Sequence, residues 1–125
     1  MNVANNYQNQ KQNVDMKIKL KLSEKQLNSL VYSFGFFDKT PNKERTVKVA
    51  RSVLDKVILK FRKKQLEVQQ GSDLFNRNKK HGFTLEYYEA HFLEQFTIIV
   101  GGQALSEYDR NAIRQIQSIL NQQLA

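Results

Sequence analysis

The stretch from Lys43 to Gln70, KERTVKVARSVLDKVILKFRKKQLEVQQ, constrains the fold of this chain more than any other. It runs for 28 residues without Gly or Pro, and its apolar residues recur at helical spacing. Val47, Ala50, Leu54, Val57, Ile58 and Phe61 follow one another around a 3.6-residue turn, with Val53 and Val68 on the same side. Arg45, Lys48, Arg51, Lys56, Lys60, Arg62 and Lys63 fall mostly on the opposite side. Thr40 and Pro41 supply a start signal, an N-cap hydroxyl followed by a residue whose fixed φ suits the first helical position. A one-sided helix of this length must be covered by other elements. At its far end an extended alternative exists for Gln65 to Gln69, where Leu66 and Val68 alternate with polar residues.

Before this helix the chain changes character twice. Residues 1–13 are rich in Asn and Gln and hold almost nothing apolar, so they are expected to remain a disordered polar arm ahead of a single domain at 14–125. From Val14 to Leu22 apolar and polar residues alternate strictly, with Val14, Met16, Ile18, Leu20 and Leu22 on one face and Asp15, Lys17, Lys19 and Lys21 on the other. That period of two predicts a β-strand. Ser23 and Gln26 form a capping-box pattern, with Leu22 and Leu27 at the two staple positions. The helix they open buries Leu27, Leu30, Val31 and Phe34, and Gly35 is expected to end it, leaving Phe36 and Phe37 in a turn.

After the long helix, Gly71 to Gly82 reads as a loop. Thr84 is the expected N-cap of the next helix, with Glu86 in its first turn and Leu85, Tyr88, Phe92, Phe96 and Ile99 as its core stripe. Gly101-Gly102 breaks that helix. Ser106 caps a last one, whose stripe is Ile113, Ile116, Leu120 and Leu124, flanked by Ala112 and Ile119. The expected fold is mostly α, or small α+β: one N-terminal strand followed by about four helices in one compact domain.

The formal net charge of +8 is unevenly laid out. Residues 43–80 hold twelve Lys or Arg against four acids, whereas residues 81–125 hold two Arg against five acids. The two regions either neutralise each other in the fold or leave a basic surface for a polyanion. No cysteine is present, which excludes disulfides, a thiolate nucleophile and Cys-based zinc sites. The longest apolar run, Phe96 to Val100, is far too short to span a membrane, and the N-terminus lacks a secretory apolar core. A cytoplasmic protein without membrane partner, metal or cofactor is the expectation.

Catalytic chemistry finds little to stand on. His91 and Glu94 are three apart on a helix, but a metal site or a triad needs a third group. Glu86 and Glu89 read as a solvated face, and Gly101-Gly102 lacks the Lys that a phosphate-binding loop requires. The expectation is a non-enzymatic binding protein. Two groups of cations are its candidate contacts for nucleic acid or an acidic partner. One is Lys60, Arg62, Lys63 and Lys64 with Arg77, Lys79 and Lys80, provided the loop folds back on the helix end; the other is Lys17, Lys19 and Lys21 on the strand. The alternative is an adaptor or inhibitor that occupies an acidic or nucleic-acid-binding partner, such as an accessory protein of a phage or mobile element.

A lone strand leaves its backbone donors and acceptors unpaired. It can pair with Gln65 to Gln69, with Phe96 to Val100, with a partner's sheet edge, or with its own copy in a homodimer through Val14 to Leu22. In the last case MKIKLKLSEKQLNSL, followed by TPNKERTVKVARSVLDKVILKF, resembles the ribbon-helix-helix repressors. That resemblance covers less than half of the chain and implies a dimeric DNA-binding regulator. Lys17, Lys19 and Lys21 would then face the bases and the Thr40 to Lys43 helix start would meet a phosphate. The Phe36-Phe37 turn and the two further helices depart from the family pattern.

Overall fold

The computed structural model describes residues 16–38, 45–71, 79–103 and 105–125, with the backbone alone at 37, 38, 46 and 47. The expected arm, the Thr40-Pro41 helix start and the loop residues Leu74, Phe75 and Arg77 lie outside these ranges. The described residues form β1 (Lys17–Leu22), α1 (Glu24–Asp38), α2 (Arg45–Gln70), β2 (His81–Glu86), α3 (Tyr87–Val100) and α4 (Glu107–Leu124). The fold is mostly α with a two-stranded antiparallel sheet. The helices make a ring: α1 packs on α2, α2 on α3, α3 on α4, and α4 closes on α1.

Several elements form for the reasons expected. The Ser23 N–H donates to Gln26 Oε1 at 2.9 Å and the Gln26 N–H to Ser23 Oγ at 3.2 Å, a closed capping box at the start of α1. The Asp109 N–H donates to Ser106 Oγ at 3.1 Å at the start of α4. Helix α2 runs unbroken to Gln70, so Gln65 to Gln69 are helical and not extended. There Leu66 is exposed while Val68 packs on the core.

Three expectations are corrected. First, Gly35 does not end α1; the helix continues through Phe36 and Phe37 to Asp38. Phe36 packs against the core and meets Tyr32 edge-on at 5.9 Å, and that burial holds the last turn together despite the glycine. A methyl on Gly35 would meet nothing within 4 Å. Gly35→Ala is therefore expected to stabilise the protein by about 0.5–1 kcal/mol in urea unfolding, the helix-propensity difference. A loss of stability would contradict an open site.

Second, Thr84 is not an N-cap and residues 81–86 are not loop and helix start. They form β2, antiparallel to β1, with Lys17 opposite Glu86, Lys19 opposite Thr84 and Lys21 opposite Gly82. The strand thus pairs within the chain, with neither Gln65 to Gln69 nor Phe96 to Val100. Third, the face of α3 that enters the core is Ala90, Leu93, Phe96, Thr97 and Val100, whereas Tyr88 and Ile99 point outward. This helix is apolar on both sides, and β2 fixes which side turns in because the helix follows the strand directly.

The core joins the layers through a chain of rings. Phe83 of β2 stacks on Phe61 of α2 at 4.3 Å, Phe61 meets Phe34 of α1 at 6.1 Å, and Phe34 meets Phe96 of α3 at 5.3 Å. Ile18, Leu20 and Leu22 of β1, with Phe83 and Leu85 of β2, turn their side chains into this core. The opposite face of the sheet is left to solvent, carrying Lys17, Lys19, Lys21, Gly82 and Thr84.

Candidate functional site

Because β1 pairs with β2, the sheet's wet face gathers cations that are far apart in sequence. Lys17, Lys19 and Lys21 line one strand, and the exposed Lys80 immediately precedes the other. The side chains at Gly82 and Thr84 are absent or short, so the lysines stand above an otherwise low surface.

Both edges of the sheet are met at the same rung. On the β1 side, the Lys19 N–H donates to Gln123 Oε1 at 3.2 Å and the Lys19 carbonyl accepts from Gln123 Nε2 at 2.7 Å. One carboxamide from α4 thereby takes the part of a neighbouring strand. On the β2 side, the Thr84 carbonyl accepts from Lys60 Nζ of α2 at 3.2 Å. The homodimeric ribbon implied by the repressor resemblance would use the β1 edge that Gln123 already occupies at Lys19, and the pairing within the chain gives that ribbon no support. Val14 and Asp15 lie outside the described residues.

Lys60 also forms an ion pair with Glu89 Oε1 at 3.6 Å. Glu89 is buried, and its Oε1 accepts from the Glu86 N–H at 2.8 Å in a capping box at the start of α3. The reading of Glu86 and Glu89 as a solvated face is therefore corrected: Glu89 is a structural acid, and Glu86 pairs with Lys17 Nζ at 3.5 Å. The Lys60–Glu89 pair carries out part of the neutralisation between the basic middle and the acidic end of the chain.

One turn beyond Lys60, Lys64 lies on the same side of α2 and pairs with Glu67 Oε2 at 3.6 Å. It also comes close to the start of β2. The His81 imidazole is held below its ordinary pKa by burial first and then by the positive charges of Lys64 and Lys79, against a smaller opposing pull from Glu24. Lys64 and Lys79 therefore act on one group at the start of β2. Arg62, two residues from Lys60 and about 200° round the helix, faces away from the sheet, and Lys63 is exposed between these directions. Arg77 lies outside the described residues.

Of the ten candidate cations, the fold sets Lys17, Lys19 and Lys21 on one face of the sheet, Lys60 at the Thr84 carbonyl of β2, and Lys64, Lys79 and Lys80 about the start of that strand. Among the described residues Lys19, Lys21, Lys79 and Lys80 have no carboxylate at salt-bridge distance. Sequence reasoning missed the contributions of Thr84 and Gln123, since neither has a signal apart from the pairing of the strands. His91 is exposed and lies edge-on to Phe92 at 5.4 Å, while Glu94 Oε2 accepts from Asn121 Nδ2 at 3.2 Å, so their three-residue spacing joins them in no shared hydrogen bond. Among the described residues no three His, Asp or Glu side chains converge as metal ligands, and no helix is long and apolar enough to cross a membrane. No family model, curated protein or solved structure matches this chain.

Proposed function

We propose that this protein binds duplex nucleic acid through its phosphates, without reading sequence, using the lysine face of the two-stranded sheet. The observation that carries the reading is the antiparallel β1–β2 pairing, which sets Lys17, Lys19 and Lys21 beside the strand that Lys79 and Lys80 lead into. A two-stranded ribbon is also of a size that the major groove admits. Lysine ammonium groups are point charges, good for phosphates but poor at the bidentate contacts that distinguish bases. The wet face holds no aromatic side chain on which single-stranded bases would stack. Lys17 and Lys60, each held by a glutamate, frame the surface, and Lys19, Lys21, Lys79 and Lys80 supply its uncompensated charge.

The test is fluorescence anisotropy of a labelled duplex across a salt series. Four uncompensated lysines predict a slope of log affinity against log salt of about −4, and Lys19→Ala with Lys21→Ala and Lys80→Ala should flatten it to about −1. Unchanged affinity in the triple variant, or no binding at the lowest salt, would overturn the reading. Tight capture of an acidic protein in place of the duplex would transfer the surface to the adaptor role.

A further inference from the structure

The outer edge of β1 is filled at one rung only. Lys19 turns its N–H and carbonyl away from β2, to Gln123 at 3.2 and 2.7 Å, and in an antiparallel pair Lys17 and Lys21 turn theirs the same way. The sheet has two strands, and among the described residues nothing bonds the outward backbone groups of Lys17 and Lys21. The group at the middle rung is a weak guard. Gln123 is exposed and sits in the last turn of α4, which is tied down by the Tyr87 hydroxyl donating to the Leu124 carbonyl at 2.6 Å. Helix ends fray. The carboxamide also meets Lys19 alone, where an extended chain would meet Lys17, Lys19 and Lys21.

We propose that this edge takes up an extended acidic peptide as a third, antiparallel strand, and that Gln123 is the group the peptide displaces. Side chains of an added strand alternate, so every second one stands on the wet face beside Lys17, Lys19 or Lys21. Charge selects the occupant. On the β2 side Glu86 stands opposite Lys17 and pairs with it at 3.5 Å. Opposite Lys19 and Lys21 stand Thr84 and Gly82, and among the described residues neither lysine has a carboxylate at salt-bridge distance. The open flank of β1 is the remaining place for an acid directly across from them. A second copy of β1 would set lysine against lysine there, which disfavours it.

Between its acids the peptide turns its other side chains to the side of Ile18, Leu20 and Leu22, so it alternates acidic with apolar residues. Strand addition of this kind draws affinity from main-chain hydrogen bonds and selectivity from the alternate side chains. It goes beyond duplex binding, because the edge of the sheet and not only its ammonium groups makes the contact. A bound peptide neutralises Lys19 and Lys21, so peptide and duplex exclude each other.

Fluorescence anisotropy of the full chain with a labelled peptide of alternating Glu and Val tests the proposal, beside the same peptide N-methylated at each Glu. Those residues face the lysines and carry the amides directed at β1, so methylation keeps the charge and removes the donors. Binding is expected for the first peptide and none for the second. Gln123→Ala should tighten binding about fivefold by removing the competing carboxamide. Lys21→Glu should weaken it about tenfold by setting acid against acid. Hydrogen exchange at the Lys21 amide should slow when the peptide binds, which a contact through charge alone does not produce. Both replacements lie at exposed positions, and circular dichroism checks that the variants fold. Equal binding of the two peptides, no gain in Gln123→Ala, or no binding to any form of the chain would each overturn the assignment.

Discussion

Phe61→Ala is expected to destabilise the protein by about 3–5 kcal/mol, a large part of the roughly 5–15 kcal/mol that holds a domain of this kind together. Phe61 is fully buried and lies at the crossing of three elements, in ring contact with Phe34 of α1 and with Phe83 of β2. Removing the ring leaves a cavity that neither neighbour can close: Phe34 is already held by Phe96, and Phe83 is fixed by the pairing of β2 with β1. The damage should extend to the lysine face, because Phe83 is one of only two β2 side chains that enter the core. In urea unfolding the midpoint should drop sharply, and amide exchange at Leu20 and Phe83 should speed up more than exchange in α4. A loss below about 1 kcal/mol would mean that the ring fills no essential volume.

The prominence of Phe61 is legible in the amino-acid pattern alone, and so is most of the helical frame. Its position in a one-sided pattern of Val and Leu needs only helical periodicity, and the Ser23 and Ser106 caps are local chemistry that a short window contains. The strand β2 is hidden for the opposite reason. His81 to Glu86 holds just two apolar residues in alternation, Phe83 and Leu85, and its Thr84 and Glu86 mimic the start of a helix. What makes it a strand is β1, far earlier in the chain, whose unpaired backbone needs a partner. The two faces of α3 are illegible because periodicity assigns a side only when the other side is polar, and here Tyr88, Phe92 and Ile99 compete with Leu93, Phe96 and Val100. The candidate surface inherits this limit. Each group of lysines is visible as a group, but their union depends on the register between β1 and β2.

Glu89 shows how closely fold and surface are coupled, and it separates them experimentally. Its carboxylate is buried, accepts from the Glu86 N–H at 2.8 Å, and holds Lys60, whose ammonium in turn donates to the Thr84 carbonyl. Glu89→Ala should cost about 2 kcal/mol, roughly half of it the lost capping acceptor and the rest packing and the ion pair. The ion-pair share is small because Lys60 is half exposed. Glu89→Gln keeps an acceptor for the Glu86 N–H and should cost about 1 kcal/mol. Binding should respond in the other direction. With its carboxylate gone, Lys60 joins the uncompensated cations at the edge of β2, and the salt slope for duplex binding should steepen by about 0.9. A variant that loses stability while gaining phosphate contacts would show that Lys60 is withheld from the surface by the fold. If affinity falls along with stability, Lys60 acts on the nucleic acid only as Glu89 positions it.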